Sequence, residues 1–205
     1  DAVTEEAEQA TRLAISKEQR EYLRHLPIVA IDPADARDHD DAIWAEPDDN
    51  PDNKGGYKAL IAIADVSYYV RSGSKLDREA YKRGNSVYFP DRVVPMLPEA
   101  LSTDVCSLKQ GVDRAALVCH VTINATGQVI ASRFTRAIVK LAGNIAYEDA
   151  QAAMDGKLDH PLKSSALEPL WACWKLLARA RDEREPLNLD LPEKRVVLDD
   201  QGKIV

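Results

Sequence analysis

The chain has 205 residues, of which 45% are hydrophobic and 30% are charged, a composition that supports a buried core and excludes a wholly disordered protein. A formal net charge of −7 argues against a simple basic nucleic-acid-binding module. No apolar run approaches the roughly 20 residues that a membrane-spanning helix needs, and we expect no membrane partner.

Cysteine usage predicts the redox compartment. The three cysteines, Cys106, Cys119 and Cys173, are odd in number and widely spaced, which favours a reducing compartment without a disulfide framework. The same spacing is unsuited to a zinc site. We therefore predict a cytoplasmic protein, and the start of the chain at Asp1 rather than at a methionine suggests a fragment of a longer protein.

The first elements surround an acidic loop. Residues 1–25 are predicted to be helical because they are rich in Ala, Glu, Gln and Arg and contain no Gly or Pro. Ile28–Ile31 is predicted to be a buried strand and Ala42–Glu46 a short one, with Asp32–Asp41 as the loop between them. Pro47–Gly56 is rich in turn-forming residues and is predicted to be exposed and mobile.

The remaining pattern mixes strands and helices without regular alternation. Strands are predicted at Tyr57–Val66, Arg114–Asn124, Gln128–Lys140 and Val196–Leu198. Helices are predicted at Leu76–Arg83, with Ser74 as its cap, at Tyr147–Met154 and at Leu162–Arg184. The turn at Ala125–Gly127 joins two long strands as a hairpin. We therefore predict an α+β fold with a mixed, largely antiparallel sheet and packed helices.

The loop holds five aspartates within ten residues, directly after an apolar strand. Carboxylates this close repel one another and must be solvated, protonated or neutralised by a cation, for which Mg²⁺ is suited. If the loop curls back, four of them can converge, and two Mg²⁺ ions would balance their charge. These four are Asp32, Asp38, Asp40 and Asp41. Asp35 is left out because it lies mid-turn, where aspartate is favoured for turn formation alone.

The acidic residues also allow three other interpretations. A solvated acidic loop is accepted for Asp48, Asp49 and Asp52, but it is less favoured for Asp32–Asp41, which adjoins a buried strand. An EF-hand loop beginning at Asp38 fails because alanine stands at its fifth position. An aspartyl-phosphate phosphatase motif also fails, because alanine stands two residues after the aspartate that ends the strand.

Several segments resemble one known family. Ile31–Ala42 resembles the acidic signature of the ribonuclease II / ribonuclease R (RNB) family, and the resemblance is closer to the ribonuclease R branch. Four further segments are similar to the same family, in the same order. These segments are Ile61–Val70, Ser86–Pro98, Leu101–Leu108 and Leu187–Pro192. The resemblance covers most of residues 27–205.

The resemblance implies a hydrolytic exoribonuclease that uses Mg²⁺, degrades RNA from its single-stranded 3′ end and releases 5′-mononucleotides. The family's catalytic and metal-binding aspartates fall on Asp32, Asp38, Asp40 and Asp41. Of these, Asp40 occupies the position most sensitive for catalysis. Tyr88 and Tyr147 match substrate-binding aromatic residues near the 3′-terminal nucleotides, and such stacking tolerates any base. From the residues alone, Tyr88 is interpreted as a core aromatic residue and Tyr147 as a packed residue that begins a helix.

The chain also departs from the family pattern. His39 stands where an apolar or aromatic residue is common, and Leu141–Tyr147 lacks the usual basic residue before the tyrosine. The family's catalytic domain continues past residue 205 and there supplies an arginine and a glutamate. We therefore expect residues 1–25 to link a preceding domain to residues 26–205, the truncated first part of the catalytic domain. The isolated chain is expected to be an inactive monomer.

Two alternative functions remain open at this point. One is a non-catalytic RNA-binding or scaffold fragment of such an enzyme, which hydrolysis of single-stranded RNA with Mg²⁺ would exclude. The other is a structural domain that binds Mg²⁺ or Ca²⁺ and has no nucleic acid partner. Loss of RNA binding while metal binding persists would favour this third function.

Overall fold

A seven-stranded sheet with helices packed on it dominates the computed structural model, which describes residues 2–187, 196, 198–201 and 203. The helices in this part are α1 (Ala2–Thr11), α2 (Val66–Tyr69), α3 (Lys75–Arg83), α4 (Tyr147–Met154) and α5 (Glu168–Asp182). The strands are β1 (Glu21–Tyr22), β2 (Val29–Asp32), β3 (Asp41–Pro47), β4 (Tyr57–Ala64), β5 (Val87–Tyr88), β6 (Val93–Val94), β7 (Asp113–Ile123), β8 (Val129–Lys140) and β9 (Gly143–Ala146). Single helical turns of other geometry occupy Pro51–Asn53, Leu101–Val105 and Lys163–Leu167.

The large sheet has the order β1-β8-β7-β4-β3-β2-β9, and β5 and β6 form a separate hairpin. Most neighbouring strands are antiparallel, whereas β1 runs parallel to β8 and β9 runs parallel to β2. The predicted α+β fold with a mixed, largely antiparallel sheet is confirmed. The strands predicted on either side of the acidic loop are also present.

Strand β4 shows why these residues form a two-sided sheet. Its side chains alternate, with Leu60, Ala62 and Ala64 buried, while Ile61 and Ile63 are 41% and 44% exposed. Alternation of this kind is the expected pattern of a strand with one face on the core. The buried face belongs to the largest cluster of core side chains, which extends across the sheet to Val118 and Val139. This core holds the strands that carry the acidic loop.

The β7–β8 hairpin turns at the predicted residues and requires glycine at its last position. Gly127 has φ +79°, a conformation that L side chains rarely adopt. A Cβ atom there would also lie 2.2 Å from Leu176 O of α5. Glycine therefore lets helix α5 lie directly against the turn.

The N-terminal prediction is partly wrong. The helix ends at Thr11, and Glu21–Tyr22 forms a strand that pairs with Ala137 and Ile138 of β8. Pairing with a strand more than 100 residues away outweighs the local helix preference of this segment. Helix α1 packs against the body of the protein, with Ala7 and Ala10 buried in a cluster that includes Leu76 of α3.

The interpretation of Asp48 as a solvated residue is also wrong. Its side chain is only 2% exposed, because it accepts hydrogen bonds from the side chain of Asn53 at 2.8 Å and from Asn50 N at 3.1 Å. These bonds lower the pKa of the Asp48 carboxyl. Asp48 thus closes the turn after β3, and the neighbouring Asp49 is 87% exposed as expected.

Two predictions concern the C-terminal part of the chain. The family segment Leu187–Pro192 lies almost wholly outside the described residues, and the strand predicted at Val196–Leu198 lies partly outside them. Within the described residues, no helix is long and apolar enough to cross a lipid bilayer.

Candidate active site

The acidic loop lies at one end of the central strands. Asp32 is the last residue of β2 and Asp41 is the first residue of β3. Because β2 and β3 are antiparallel neighbours, the end of one strand lies beside the start of the next. The backbone between them is tied to β4, since Ala64 N donates to Asp40 O at 2.9 Å. The chain therefore folds back between Asp32 and Asp41, as convergence of the aspartates requires.

Tyr147 lies at the same end of the sheet. Strand β9 runs parallel to β2 with Ala146 opposite Asp32, and Tyr147 begins helix α4 in the next position. Its side chain is 54% exposed. The interpretation as a helix-starting residue is confirmed, but half of the ring remains accessible beside the acidic loop.

Tyr88 contacts the loop from a separate hairpin. It lies on the β5–β6 hairpin, and its hydroxyl donates to Asp38 Oδ2 at 3.2 Å. The residue is 66% exposed, so its interpretation as a core aromatic residue is wrong. Partial burial and the charge of Asp38 raise the pKa of Tyr88, which keeps the phenol protonated as the donor. The hydroxyl of Tyr88 is therefore held by a hydrogen bond, while most of the residue is exposed.

His39 is the closest partner of Asp32. Its Nδ1 lies 2.6 Å from Asp32 Oδ2, with both side chains partly buried at 16% and 19% exposure. An ionised carboxylate only accepts hydrogen bonds, so Nδ1 carries the proton and donates it. This contact orients the Asp32 carboxylate within the loop. The sequence marks His39 only as a departure from the family pattern, and the contact with Asp32 is visible only in the structure.

The charges of the four aspartates act on one another. Partial burial raises the pKa of Asp40, and the negative charges of Asp38, Asp41 and Asp32 raise it further, against a smaller opposite effect of His39. In the described part of the chain, no lysine or arginine forms a salt bridge with any of the four. The excess negative charge is therefore concentrated around Asp40.

The donor set fits a hard divalent cation in its chemistry, but its side chains are not yet arranged around one. Carboxylate oxygens are the ligands that Mg²⁺ prefers, and the mutual repulsion at Asp40 is what a cation relieves. Among the described residues, however, no group of three or more His, Cys, Asp or Glu side chains stands in a metal-holding arrangement. The backbone of the loop is folded back, but the four described side chains do not form a metal-holding group in this structure.

Residues outside the predicted site hold the acidic loop in place through hydrogen bonds. Leu108 N donates to His39 O at 2.8 Å, and Leu108 O accepts from the side chain of Asn144 on β9 at 3.0 Å. Arg114 of β7 donates through Nε to Ser107 O at 2.8 Å. The family resemblance includes the segment Leu101–Leu108 but assigns it no role in the site. Nothing in the local sequence marks Ser107, because Ser102, Thr103 and Asp104 of the same segment are polar as well.

Comparison with known proteins places the chain in a family. Residues 20–205 match the RNB domain. The chain is 42% identical over 195 residues to ribonuclease R of Vibrio parahaemolyticus, an alignment that covers 92% of this chain and 23% of that protein. RNase R of Mycoplasma genitalium, solved in complex with ribose-methylated single-stranded RNA, matches with a TM-score of 0.89 and 26% identity over 100% of this chain and 32% of that one. Yeast Ssd1, a pseudonuclease, shares the fold with a TM-score of 0.66 and 22% identity over 84% of this chain and 20% of that one.

The mixed sheet, the acidic loop and these similarities agree, and the chain belongs to the RNB domain family. Its similarity to ribonuclease R proteins confirms the branch that the sequence motifs predicted. The chain spans about a quarter of the length of the curated relatives it matches.

Proposed function

We propose that the protein is a Mg²⁺-dependent exoribonuclease that hydrolyses RNA from its 3′ end and releases 5′-nucleoside monophosphates. The observation that supports this most is the acidic loop, where four aspartates of the family signature lie beside two accessible tyrosines. Ribonuclease R relatives at 42% and 40% identity support the same class of reaction.

In this proposal the acidic loop binds the metal. The residues that would hold it are Asp32, Asp38, Asp40 and Asp41. When bound in a pair, Mg²⁺ ions activate a water molecule and stabilise the oxygen that leaves in an in-line displacement. Within the loop, His39 orients the carboxylate of Asp32, and Tyr88 fixes one oxygen of Asp38. A bound cation would relieve the repulsion that Asp38, Asp41 and Asp32 exert on the charged form of Asp40.

The two tyrosines would position the end of the RNA. Tyr88 and Tyr147 flank the acidic loop from different elements, and each exposes more than half of its side chain. Aromatic rings stack on any base, and each base stacked in this way contributes about 1–3 kcal/mol to binding. Such contacts would hold the 3′-terminal nucleotides over the aspartates without selecting a sequence, which degradation of RNA of any sequence requires.

A second candidate is a non-catalytic RNA-binding domain. The shared fold of Ssd1, which is a pseudonuclease, favours considering it, because the fold alone does not establish catalysis. The presence of all four aspartates in this chain favours the catalytic function. Substituting one of them discriminates between the two candidates, because a binding module needs no metal-activated chemistry.

The proposal also covers the substrate, the location, the oligomeric state and the domain organisation. We propose single-stranded RNA 3′ ends as the substrate, a cytoplasmic location and a monomeric protein. Residues 26–205 would form the first part of the catalytic domain, and residues 1–25 would lead in from a preceding domain, with Glu21–Tyr22 joining the sheet as β1 and α1 packing beside α3.

The proposed function is tested with a 5′-labelled single-stranded RNA incubated with the complete protein. We expect stepwise shortening from the 3′ end and release of 5′-monophosphates with Mg²⁺, and complete arrest with EDTA, because the aspartates alone cannot activate water. A control RNA blocked at its 3′ terminus should persist. Binding of RNA without any shortening in Mg²⁺ would favour the non-catalytic candidate instead.

A further inference from the structure

Ser107 is a fully buried polar residue whose hydroxyl contacts the acidic loop. It lies just after the helical turn Leu101–Val105 and is 0% exposed. Its Oγ accepts a hydrogen bond from His39 N at 3.0 Å and donates to Arg37 O at 3.3 Å. The His39 N–H and the Arg37 carbonyl belong to the peptide groups on either side of Asp38. One hydroxyl therefore joins both ends of the residue that carries a predicted metal ligand.

The segment around Ser107 is itself fixed to the sheet. Ser107 O accepts from Arg114 of β7, and Leu108 O accepts from Asn144 of β9. These strands lie on opposite sides of β4, β3 and β2 in the sheet order. Because the anchor points belong to two separate strands, the segment forms a rigid support rather than a second mobile loop.

We infer that Ser107 is a positioning residue that sets the backbone of Asp38 so that its carboxylate faces the metal. This inference rests on the proposed function, because it assigns Ser107 a role in the same site. Removing the hydroxyl leaves two backbone groups beside Asp38 without their partner, and the peptide is then free to rotate. Partners that orient metal ligands in this way typically contribute about 10–100-fold to metal affinity or activity.

The test compares Ser107→Ala and Ser107→Cys in the complete protein with Thr103→Ala as the matched control. Thr103 lies in the same turn, and its hydroxyl donates to Glu99 O at 2.8 Å rather than to the loop. Cysteine preserves nearly the volume of serine but hydrogen-bonds weakly, so it removes the contact with little change in packing. Mg²⁺ affinity is measured by calorimetry, and backbone order by hydrogen exchange of the peptide that spans residues 33–41.

We expect both Ser107 variants to bind Mg²⁺ at least about tenfold more weakly than the wild type, with faster exchange at His39 N. At saturating Mg²⁺ and RNA, kcat should fall while KM for RNA changes little, because the hydroxyl of Ser107 bonds to Arg37 and His39 rather than to either tyrosine. Thr103→Ala should match the wild type in every measurement. A purely structural role would lower thermal stability without this split between kcat and KM.

The possible results distinguish failure of the positioning role from failure of the proposed function. Wild-type Mg²⁺ affinity and kcat in folded Ser107→Ala would overturn the inference, as would failure of both Ser107 variants to fold. If the wild type itself neither binds Mg²⁺ nor shortens RNA, the proposed function fails, and the inference fails with it. If the wild type does both and folded Ser107→Ala behaves identically, the positioning role alone is wrong.

Discussion

Replacing Asp40 by asparagine in the complete protein is expected to reduce RNA hydrolysis by at least about 100-fold, the scale of losing one preorganised electrostatic contact in an active site. Asparagine has the same shape but carries no charge, and it is a weaker ligand for Mg²⁺. The charges of Asp38, Asp41 and Asp32 act on Asp40, and the family resemblance places the residue most sensitive for catalysis at this position. Single-turnover hydrolysis of a labelled RNA measures the loss.

RNA binding by Asp40→Asn should remain nearly unchanged or become slightly tighter. The substitution removes one negative charge close to the RNA phosphates, and it leaves Tyr88 and Tyr147 in place. Asp35→Asn is the matched control, because it makes the same change within the same loop at a residue left out of the predicted set. Its hydrolysis rate should equal that of the wild type. Equal rates for Asp40→Asn and the wild type would contradict the catalytic assignment.

The second large effect concerns stability, at the buried ion pair between Arg20 and Asp65. Their side chains are each 3% exposed, and Arg20 NH2 donates to Asp65 Oδ2 at 2.8 Å. Asp65 directly follows β4, whose last residue, Ala64, holds the backbone of Asp40. We expect Arg20→Ala to lower the free energy of unfolding by about 3 kcal/mol, because it leaves a buried carboxylate with only part of its compensation.

Urea denaturation of Arg20→Ala and of a control, Arg24→Ala, measures this difference. Arg24 pairs with Asp113 at 3.3 Å, but the two side chains are 48% and 43% exposed, so the control should lose no more than about 1 kcal/mol. The remaining partners of Asp65 are Ser67 at 2.8 Å and Arg136 at 3.5 Å, which prevent a still larger loss. Equal urea midpoints for the two variants would show that the buried pair contributes no more stability than the exposed pair.

The pH dependence of the same pair has a definite sign. Burial raises the pKa of Asp65, but the hydrogen bonds from Arg20 and Ser67 and the charges of Arg20 and Arg136 lower it below the ordinary value of 3.8. A lowered pKa contributes stability that is fully present above the pKa of the unfolded chain. This stability is lost as pH falls through the folded pKa. The difference between the wild type and Arg20→Ala should therefore be constant near neutral pH and shrink in acid.

Local sequence patterns predicted the parts of this fold that local chemistry determines. The strand before the acidic loop, the helix capped by Ser74 and the β7–β8 hairpin all depend on neighbouring residues. The family signature likewise depends on residues close together in the chain. Strand β1 was missed because it forms through pairing with residues 137 and 138, which its own sequence does not encode.

The same limit applies to the candidate site. The sequence predicts Asp32 and Asp38 as metal ligands, but it could not predict a contact between Ser107 and their loop, because that contact joins residues 68 and 70 positions apart. Asp48 was misinterpreted for a related reason. Its negative charge is visible in the sequence, whereas its burial depends on the fold of the turn whose Asn53 side chain donates a hydrogen bond to it. Contacts between distant segments, rather than residue types, separate a site residue from a structural one.

The most direct test locates the metal itself. Crystals of the complete protein grown with Mn²⁺ in place of Mg²⁺ allow the ion to be found by anomalous diffraction, and Mn²⁺ accepts the same oxygen ligands. We expect a peak within bonding distance of carboxylate oxygens from most members of the acidic set, Asp32, Asp38, Asp40 and Asp41. Crystals that contain Mn²⁺ elsewhere but show no peak at this loop would contradict the proposed mechanism.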